Sequence, residues 1–276
     1  MTGSLENIKL AFENAKKNQK GAFIPFFTIG DPDAETFLKL MDEVADHADI
    51  IELGIPFSDP LADGPTIQKA NERARSAGTN LSQCFDLIKK AKAKTGKPIV
   101  LLTYANIVGS DDVRKDVLEG FAESGVDGII IADVPIEEAE PFRRDIEKHG
   151  LGFIQLVTPN TSPQRLRHIM NIASGFLYLV AVSGVTGARS EVLDETRTVL
   201  RSIHLSGHNR LPICVGFGIS KPEHVREIIK LGANGAIVGS AIIRIIEENL
   251  KSVNDMAEKI EAFVSQMSSA AKNGGE

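Results

Sequence analysis

The sequence predicts a parallel, eight-stranded (β/α)8 TIM barrel, and three observations support this fold class. Eight short apolar runs recur along the 276 residues. Most of them are nearly continuous in Val, Ile, Leu and Phe, which is typical of parallel strands covered on both faces. Helical patterns separate the runs, and this alternation indicates right-handed βαβ units. Eight such units suit a closed barrel, with a doubly wound open sheet as the alternative.

The predicted strands follow one another in chain order. They are Ala22–Ile29, Asp49–Gly54, Pro98–Tyr104, Asp127–Ala132, Gly152–Val157, Phe176–Val182, Pro212–Phe217 and Gly235–Val238. The second run differs from the others because it carries a carboxylate, Glu52, between apolar residues.

The segments between the strands carry the periodicity of amphipathic helices. Apolar residues recur at i, i+3, i+4 and i+7 after Phe37 and Leu81, and another apolar stripe comprises Val113, Val117, Phe121 and Ala122. Thr161 with Gln164, and Ser220 with Glu223, form capping-box patterns that open two further helices, and Asp31 and Asp133 are candidate N-caps. Two connections, Gly54–Gly78 and Ser183–Glu195, are long and polar, and long loops after barrel strands often carry function.

Composition places no boundary inside the chain. No linker or low-complexity segment interrupts the pattern, so we expect a single barrel domain over residues 1–276, with a flexible polar tail at about 270–276. The formal net charge of −6 argues against a partner such as nucleic acid or an anionic membrane. Two isolated cysteines, Cys84 and Cys214, suggest buried thiols in a reducing compartment. We therefore expect a cytoplasmic protein with no membrane span and no metal site.

Glycines at the ends of the last predicted strands indicate a phosphate site. Gly216–Ser220 and Gly239–Ser240 each join a strand end to a helix start, and Gly184–Gly187 follows the sixth strand. Glycine lets backbone N–H groups approach an anion closely, and a helix N-terminus adds unpaired donors. Because barrels often bind phosphate after strands 7 and 8, we favour this function over that of simple tight turns.

Glu52 is the strongest candidate for chemistry. Alternation along the second strand puts Ile50, Glu52 and Gly54 on one face, and Ile51 and Leu53 on the other. If the second set packs on helices, Glu52 points into the barrel mouth, where poor solvation would raise its pKa into the range of a proton donor. The competing interpretation is a glutamate paired with a buried cation, although no strand supplies an obvious one.

The loop Leu53–Gln68, preceded by Glu52, resembles the signature of the tryptophan synthase α-subunit family. The resemblance extends in order over nearly the whole chain. It includes Gly21–Phe26, Tyr104–Asn106, Ala132–Pro135, Gly184–Gly187 and Gly216–Ser220.

That resemblance implies a lyase that cleaves indole-3-glycerol phosphate to indole and glyceraldehyde 3-phosphate in tryptophan biosynthesis. It implies no cofactor in this chain. It also implies a partner, the β subunit, which carries pyridoxal phosphate, in an α2β2 heterotetramer.

The family's functional positions carry over residue by residue. Glu52 and Asp63 take the catalytic roles, Thr186 closes a loop onto the aspartate, and Asp59 meets the β subunit. The remaining matches line the indole pocket (Phe23, Leu102, Tyr104, Ala132, Tyr178 and Phe217) or hold phosphate (Gly187, Gly218, Gly239 and Ser240).

Three alternatives remain open at this stage. Other phosphate-binding barrels, such as indole-glycerol-phosphate synthase or phosphoribosylanthranilate isomerase, resemble the glycine-rich end but are not expected to carry the Gly54–Gln68 loop. A non-catalytic barrel that acts as a regulatory partner is disfavoured by the intact Glu52 and Asp63. A stand-alone indole-releasing lyase is not distinguished by the sequence.

Overall fold

A computed structural model of the chain describes residues 4–18, 20–180, 189–205, 211–216 and 218–272. Over these residues, eight parallel strands pair in chain order and close into a barrel, which confirms the predicted fold and excludes an open sheet. The strands are β1 Ala22–Thr28, β2 Ile51–Gly54, β3 Ile99–Thr103, β4 Gly128–Ile131, β5 Gly152–Val157, β6 Leu177–Val180, β7 Ile213–Gly216 and β8 Gly235–Val238.

Helices connect the strands and surround the barrel. They are α1 Leu5–Lys17, α2 Ala34–Val44, α3 Pro65–Ser76, α4 Leu81–Thr95, α5 Ala105–Val108, α6 Asp111–Ser124, α7 Ala139–Lys148, α8 Pro163–Ile172, α9 Arg189–Leu205, α10 Pro222–Lys230, α11 Ser240–Glu248 and α12 Val253–Lys272, with a 3-10 turn at Ile136–Glu138.

The pleat of the strands divides the buried side chains into two clusters. Ile50, Val100, Ile130 and Ile154 belong to the cluster that fills the barrel interior. Their sequence neighbours on the same strands, such as Ile51, pack outward against the helices. This period of two is what a sheet covered on both faces requires.

Helix α1 closes the amino end of the barrel. Its Ile8 and Phe12 belong to the interior cluster, and Phe12 meets Phe176 edge-on with ring centroids 5.7 Å apart. The backbone N–H of Leu5 also donates to the carbonyl of Gly150. The interior is therefore plugged at this end, and its accessible end is the mouth at the carboxyl ends of the strands.

The long segment Gly54–Gly78 is not a continuous loop, because α3 occupies Pro65–Ser76. The sequence signal was weak because α3 is mostly polar and its buried residues are only Ala70, Asn71 and Ala74. The expectation of a flexible tail from about residue 270 is wrong for residues 270–272. Helix α12 continues through Lys272 with Ala270 and Ala271 buried, and residues 273–276 lie outside the described part.

Three expected helix caps are also displaced. Ser162, rather than Thr161, caps α8 and accepts from the N–H of Arg165. Helix α10 starts after Lys221 without a side-chain cap. Asp33, rather than Asp31, caps α2. The side chain of Asp31 instead accepts two hydrogen bonds from Arg73, at 2.8 and 2.9 Å.

Candidate active site

Glu52 lies on β2 at the barrel mouth, on the same face as Ile50. It is 1% exposed, and its Oε2 has no hydrogen-bond partner among the described residues. Burial, and to a smaller extent the negative charge of Asp63, raise the pKa of the carboxyl from an ordinary value near 4.5 to about 8. Within the described chain no cation pairs with Glu52, so the interpretation of a buried ion pair is not supported.

Asp63 follows β2 in the loop that leads into α3, and it faces Glu52 closely enough for their charges to interact. Its Oδ2 accepts a hydrogen bond from Nδ2 of Asn71, at 3.1 Å. Burial raises the pKa of the carboxyl, while the nearby Tyr104 hydroxyl and the hydrogen bond from Asn71 oppose that rise. Two carboxyl groups therefore lie near each other. Asp63 accepts a hydrogen bond at Oδ2, whereas Oε2 of Glu52 accepts none from the described residues.

Asn71 was not predicted from the sequence. It is 3% exposed and lies on the buried face of α3, one residue after Ala70 and three before Ala74. A buried asparagine needs a hydrogen-bond partner for its amide. An asparagine on the buried face of a predicted helix is therefore the sequence feature that could have indicated a polar partner here. Because Arg73 on the same helix binds Asp31, α3 is also fixed to the loop that follows β1.

Both tyrosines of the chain lie beside these carboxyl groups. Tyr104, directly after β3, stacks on Phe57 with ring centroids 5.0 Å apart. Its hydroxyl lowers the pKa of Asp63 but has no hydrogen-bond partner among the described residues. Burial, and to a smaller extent the charge of Glu52, raise the pKa of the Tyr178 hydroxyl on β6 well above its usual value. Gly216 makes room for this ring, because a Cβ there would lie 2.5 Å from the Tyr178 hydroxyl.

The structure corrects the prediction for Phe23. Phe23 is fully buried on the outer side of β1, in the cluster between strands and helices, and alternation puts Ala22, Ile24 and Phe26 on the opposite face. The Phe26 ring lies at the mouth, because a Cβ at Gly54 would come within 2.7 Å of its Cζ and one at Gly239 within 3.1 Å of its Cδ1. Period-two alternation along β1 would have selected Phe26.

Leu102 and Ala132 lie at or just after the carboxyl ends of the neighbouring strands β3 and β4. Leu102 packs against the interior cluster. Ala132 follows β4 directly, two residues after interior Ile130, and its N–H donates to the carbonyl of Thr103 at 2.9 Å. Leu102 and Tyr178 both pack against the interior cluster, on the face of the sheet that also carries Glu52.

Two of the predicted phosphate glycines, Gly218 and Gly239, follow the neighbouring strands β7 and β8 at the mouth. Gly216 of β7 pairs with Ile237 of β8, and Gly218 and Gly239 each lie two residues further along. Gly218 has φ of +63°, a conformation that favours glycine. Gly239 precedes α11, which starts at Ser240 without a side-chain cap. The first N–H groups of α11 are therefore available for an anion.

Asp59 is exposed on the loop after β2 and stands apart from this cluster. Its Oδ2 accepts from the hydroxyl of the adjacent Ser58 at 2.5 Å, and its carbonyl accepts from the N–H of Leu61. Three predicted site residues lie outside the described residues, namely Thr186, Gly187 and Phe217.

The described residues contain no group of three or more His, Cys, Asp or Glu side chains that could hold a metal ion. No described helix combines the length and apolar character needed to cross a membrane. What the site offers is a protonated buried carboxyl beside a second carboxyl, enclosed by aromatic rings, with backbone N–H donors across the mouth. Such a site suits acid–base chemistry on an apolar ring joined to an anionic group.

Comparison with known sequences gives a consistent family. The profile of the family described as tryptophan synthase alpha chain matches residues 12–272. The alpha chain of Photobacterium profundum is 45% identical over 260 residues, which is 94% of this chain and 95% of that protein. The alpha chain of Methanoregula boonei is 43% identical over 273 residues, covering 99% and 100% of the two chains.

Solved structures agree with the sequence comparison. The tryptophan synthase subunit alpha of Legionella pneumophila superimposes with a TM-score of 0.84 at 34% identity, covering 99% of both chains. A chain from the tryptophan synthase α2β2 complex of Pyrococcus furiosus gives 0.81 at 38% identity, covering 90% of this chain and 98% of that one. With the profile match over residues 12–272, these similarities show that the chain belongs to the tryptophan synthase alpha chain family.

Proposed function

We propose that this chain is the α subunit of a tryptophan synthase and cleaves indole-3-glycerol phosphate to indole and glyceraldehyde 3-phosphate. The observation that carries this function is the buried carboxyl of Glu52, which lacks a partner at Oε2, next to Asp63 at the barrel mouth. A carboxyl whose pKa is raised to about 8 retains its proton at neutral pH and can deliver it to carbon.

The cleavage moves one proton onto carbon and one off oxygen. The indole carbon that bears the glycerol chain is protonated by Glu52, which then exists as a carboxylate. That carboxylate removes the proton from the adjacent glycerol hydroxyl. The C–C bond breaks, its electron pair restores the aromatic ring, and the hydroxyl carbon becomes the aldehyde. Glu52 ends the cycle protonated, so a single carboxyl serves as acid and then base.

Asp63 acts on the nitrogen of the ring. Protonation at carbon leaves positive charge on the indole nitrogen, and a carboxylate that accepts the N–H hydrogen bond stabilises that charge. The hydrogen bond from Asn71 and the nearby Tyr104 hydroxyl oppose the rise of the Asp63 pKa and therefore favour the charged form that this role requires. The two acids thus have different roles although they lie side by side.

The phosphate is assigned to the ends of β7 and β8. Backbone donors near Gly218 and at the start of α11, together with Gly187, would hold it, so that both carboxyl groups meet one orientation of the substrate. Gly239→Val should raise KM sharply, because its side chain would collide with Phe26. Inorganic phosphate should compete with substrate, and absence of competition would contradict this assignment.

The reaction itself is tested by product analysis. The purified chain, incubated with indole-3-glycerol phosphate, should release indole and glyceraldehyde 3-phosphate in equal amounts without added cofactor. Release of neither product, with or without a β subunit, would leave only a non-catalytic partner role and would contradict the proposed function.

We also propose that the chain works as one barrel domain in the cytoplasm, in an α2β2 assembly whose β subunit carries pyridoxal phosphate. Support comes from the α2β2 complex of the Pyrococcus relative. Thr186 is expected to close over Asp63 in the assembled enzyme, and Asp59, exposed on the loop after β2, is the candidate contact to the β subunit.

Measuring indole release with and without a β subunit tests that contact. Asp59→Ala should keep basal cleavage and lose much of the activation, whereas the exposed Glu258→Ala on α12 should behave as wild type. Equal activation of wild type and Asp59→Ala would rule out a coupling role for Asp59.

A further inference from the structure

Helix α3, which follows the loop that carries Asp63, has little apolar surface with which to hold its place on the barrel. Its buried residues are Ala70, Asn71 and Ala74, and Ile67 is partly buried against the core. Two alanine methyl groups remove only a small apolar area from water. The position of α3 therefore depends strongly on the polar contacts that its side chains make with other elements.

Two ion pairs join α3 to other elements of the described chain. Lys69 contacts Glu247 of α11 at 2.8 Å, but these side chains are 61% and 32% exposed, and such surface pairs contribute little to stability. Arg73 instead binds Asp31, whose side chain is fully buried. Its Nε and Nη2 each donate to a different oxygen of the Asp31 carboxylate, at 2.8 and 2.9 Å. A two-point contact of this kind fixes the direction of the guanidinium as well as its distance.

Asp31 connects this ion pair to the wall of the barrel. Its backbone N–H donates to the carbonyl of Thr28, the last residue of β1, at 3.2 Å. Arg73 follows Asn71 by two residues, which is about 3 Å of helix rise, and Asn71 donates to Oδ2 of Asp63 at 3.1 Å. A continuous set of contacts therefore leads from β1 through Arg73 and Asn71 to Asp63.

We propose that Arg73 is a positioning residue for Asp63. Its pair with Asp31 holds α3 where the Asn71 amide can donate to the Asp63 carboxylate. This role rests on the proposed function, in which a charged Asp63 accepts the N–H of the indole ring. Without the pair, α3 shifts and the hydrogen bond from Asn71 is lost or lengthened. Asp63 then loses its orientation and part of the stabilisation of its charged form.

A double-mutant cycle in the full chain tests whether Arg73 acts through Asn71. Arg73→Gln should lower kcat per folded molecule about 10- to 100-fold, with KM close to wild type because the phosphate donors at β7 and β8 are unchanged. Asn71→Ala should lower kcat as well, and adding Arg73→Gln to it should cause almost no further loss, because the two residues act in series. Arg75→Gln, at an exposed position of the same helix, should behave as wild type.

Asp31→Asn removes the same pair from the side of the barrel and keeps the size of the side chain. Burial raises the pKa of Asp31 and the Arg73 guanidinium opposes that rise, so Arg73→Gln leaves a buried carboxyl without its cation. Asp31→Asn leaves no such carboxyl, and it is the variant to use if Arg73→Gln does not fold. It should lower kcat per folded molecule to a similar extent, with the folded fraction measured by denaturant unfolding.

The titration of Asp63 gives a readout that does not need turnover. Burial raises the pKa of Asp63, while the nearby Tyr104 hydroxyl and the hydrogen bond from Asn71 oppose that rise. Arg73 is not among the groups that shift this pKa. Arg73→Gln should therefore raise the Asp63 pKa only by disturbing Asn71. The carboxyl-carbon NMR signal, assigned with Asp63→Asn, measures the change, and a purely structural role for Arg73 would leave the titration of the folded protein unaltered.

The outcomes separate this role from the proposed function. If wild type releases no indole, but Arg73→Gln raises the Asp63 pKa and Arg75→Gln does not, the positioning role stands and the proposed function fails. If the losses of kcat caused by Arg73→Gln and Asn71→Ala multiply in the double variant, or if the Asp63 pKa is unchanged, the positioning role is ruled out.

Discussion

The two ends of the barrel treat a buried acid in opposite ways. At the amino end, fully buried Asp127 accepts four hydrogen bonds of 2.6–2.8 Å, from the backbone of Ser4 and Ile99 and the side chains of Asn7 and Lys92. At the carboxyl end, Glu52 is equally buried, yet its Oε2 accepts no hydrogen bond from the described residues. Neither acid is solvated, and they differ in what surrounds them.

This difference indicates that the two buried acids have different roles, one in stabilising the fold and the other in chemistry. Asp127 ties α1 to the amino ends of β3 and β4, and a buried charge that is paired and hydrogen-bonded can hold elements together. Glu52 cannot stay charged without cost, so it keeps its proton. We infer that the hydrogen-bonded acid at the amino end stabilises the barrel. The acid at the mouth lowers the stability of the fold, and its raised pKa allows it to donate a proton near neutral pH.

The largest expected effect is on catalysis. Glu52→Gln keeps the shape of the side chain and removes its proton exchange, so indole release should fall by at least about 10²–10⁴-fold. Circular dichroism should show an unchanged fold, and Glu258→Gln, at an exposed position of α12, should retain full activity. Near-wild-type indole release by Glu52→Gln would refute the assignment of the acid.

The second effect belongs to the amino end. Asp127→Asn leaves the Lys92 ammonium buried without its anion, and breaking a buried pair typically costs about 3–5 kcal/mol. Denaturant unfolding should therefore show a large loss of stability, while kcat per folded molecule stays close to wild type. The exposed Asp112→Asn should change neither quantity. An Asp127→Asn protein that keeps its stability but has a reduced kcat would contradict the structural role assigned to Asp127.

A smaller effect is the stability gained when the charge at Glu52 is removed. Because the folded-state pKa is raised from about 4.5 to about 8, wild type loses stability as pH rises through that window, since the unfolded chain releases the proton first. Glu52→Gln should match wild type below about pH 4.5 and exceed it by about 3 kcal/mol at pH 7. Unfolding curves at several pH values measure the difference, and a pH-independent gap would point to altered packing instead.

The smallest expected effect is a change in the Glu52 pKa when Asp63 loses its charge. Asp63→Asn removes the negative charge that helps to raise the Glu52 pKa, so the Glu52 pKa should fall while staying above its ordinary value, because burial is the larger cause. The stabilities of Asp63→Asn and of the double variant Asp63→Asn/Glu52→Gln are measured at several pH values. The pH at which the difference between them changes reports the Glu52 pKa in the absence of the Asp63 charge. A Glu52 pKa that rises would contradict the proposed proximity.

The amino-acid pattern was sufficient to predict the barrel and the position of Glu52. Eight apolar runs and period-two alternation on β2 determine both, since they depend only on local sequence. Alternation on β1 was equally available, and it places Phe26 rather than Phe23 at the mouth. The assignments of Asp63 and the phosphate glycines depended largely on family resemblance, because acidic and glycine-rich loops have many structural uses.

Other features could not be read from local sequence. Helix α3 lacks a strong apolar stripe, so its hold on Asp63 through Asn71 emerges only when the loop and helix are folded together. The pairing of Asp31 with Arg73 joins residues 42 positions apart, and the four donors to Asp127 come from distant segments. Such contacts depend on tertiary packing, which propensity and periodicity do not encode.

The most direct test of the central claim is the protonation state of Glu52 itself. Infrared difference spectra between wild type and Glu52→Gln isolate the stretching band of this one protonated carboxyl. We expect the band to be present at pH 7 and to disappear with a midpoint near pH 8, in parallel with the loss of kcat/KM. A band that disappears near pH 4.5 would show that Glu52 is charged at neutral pH and would contradict its role as the proton donor.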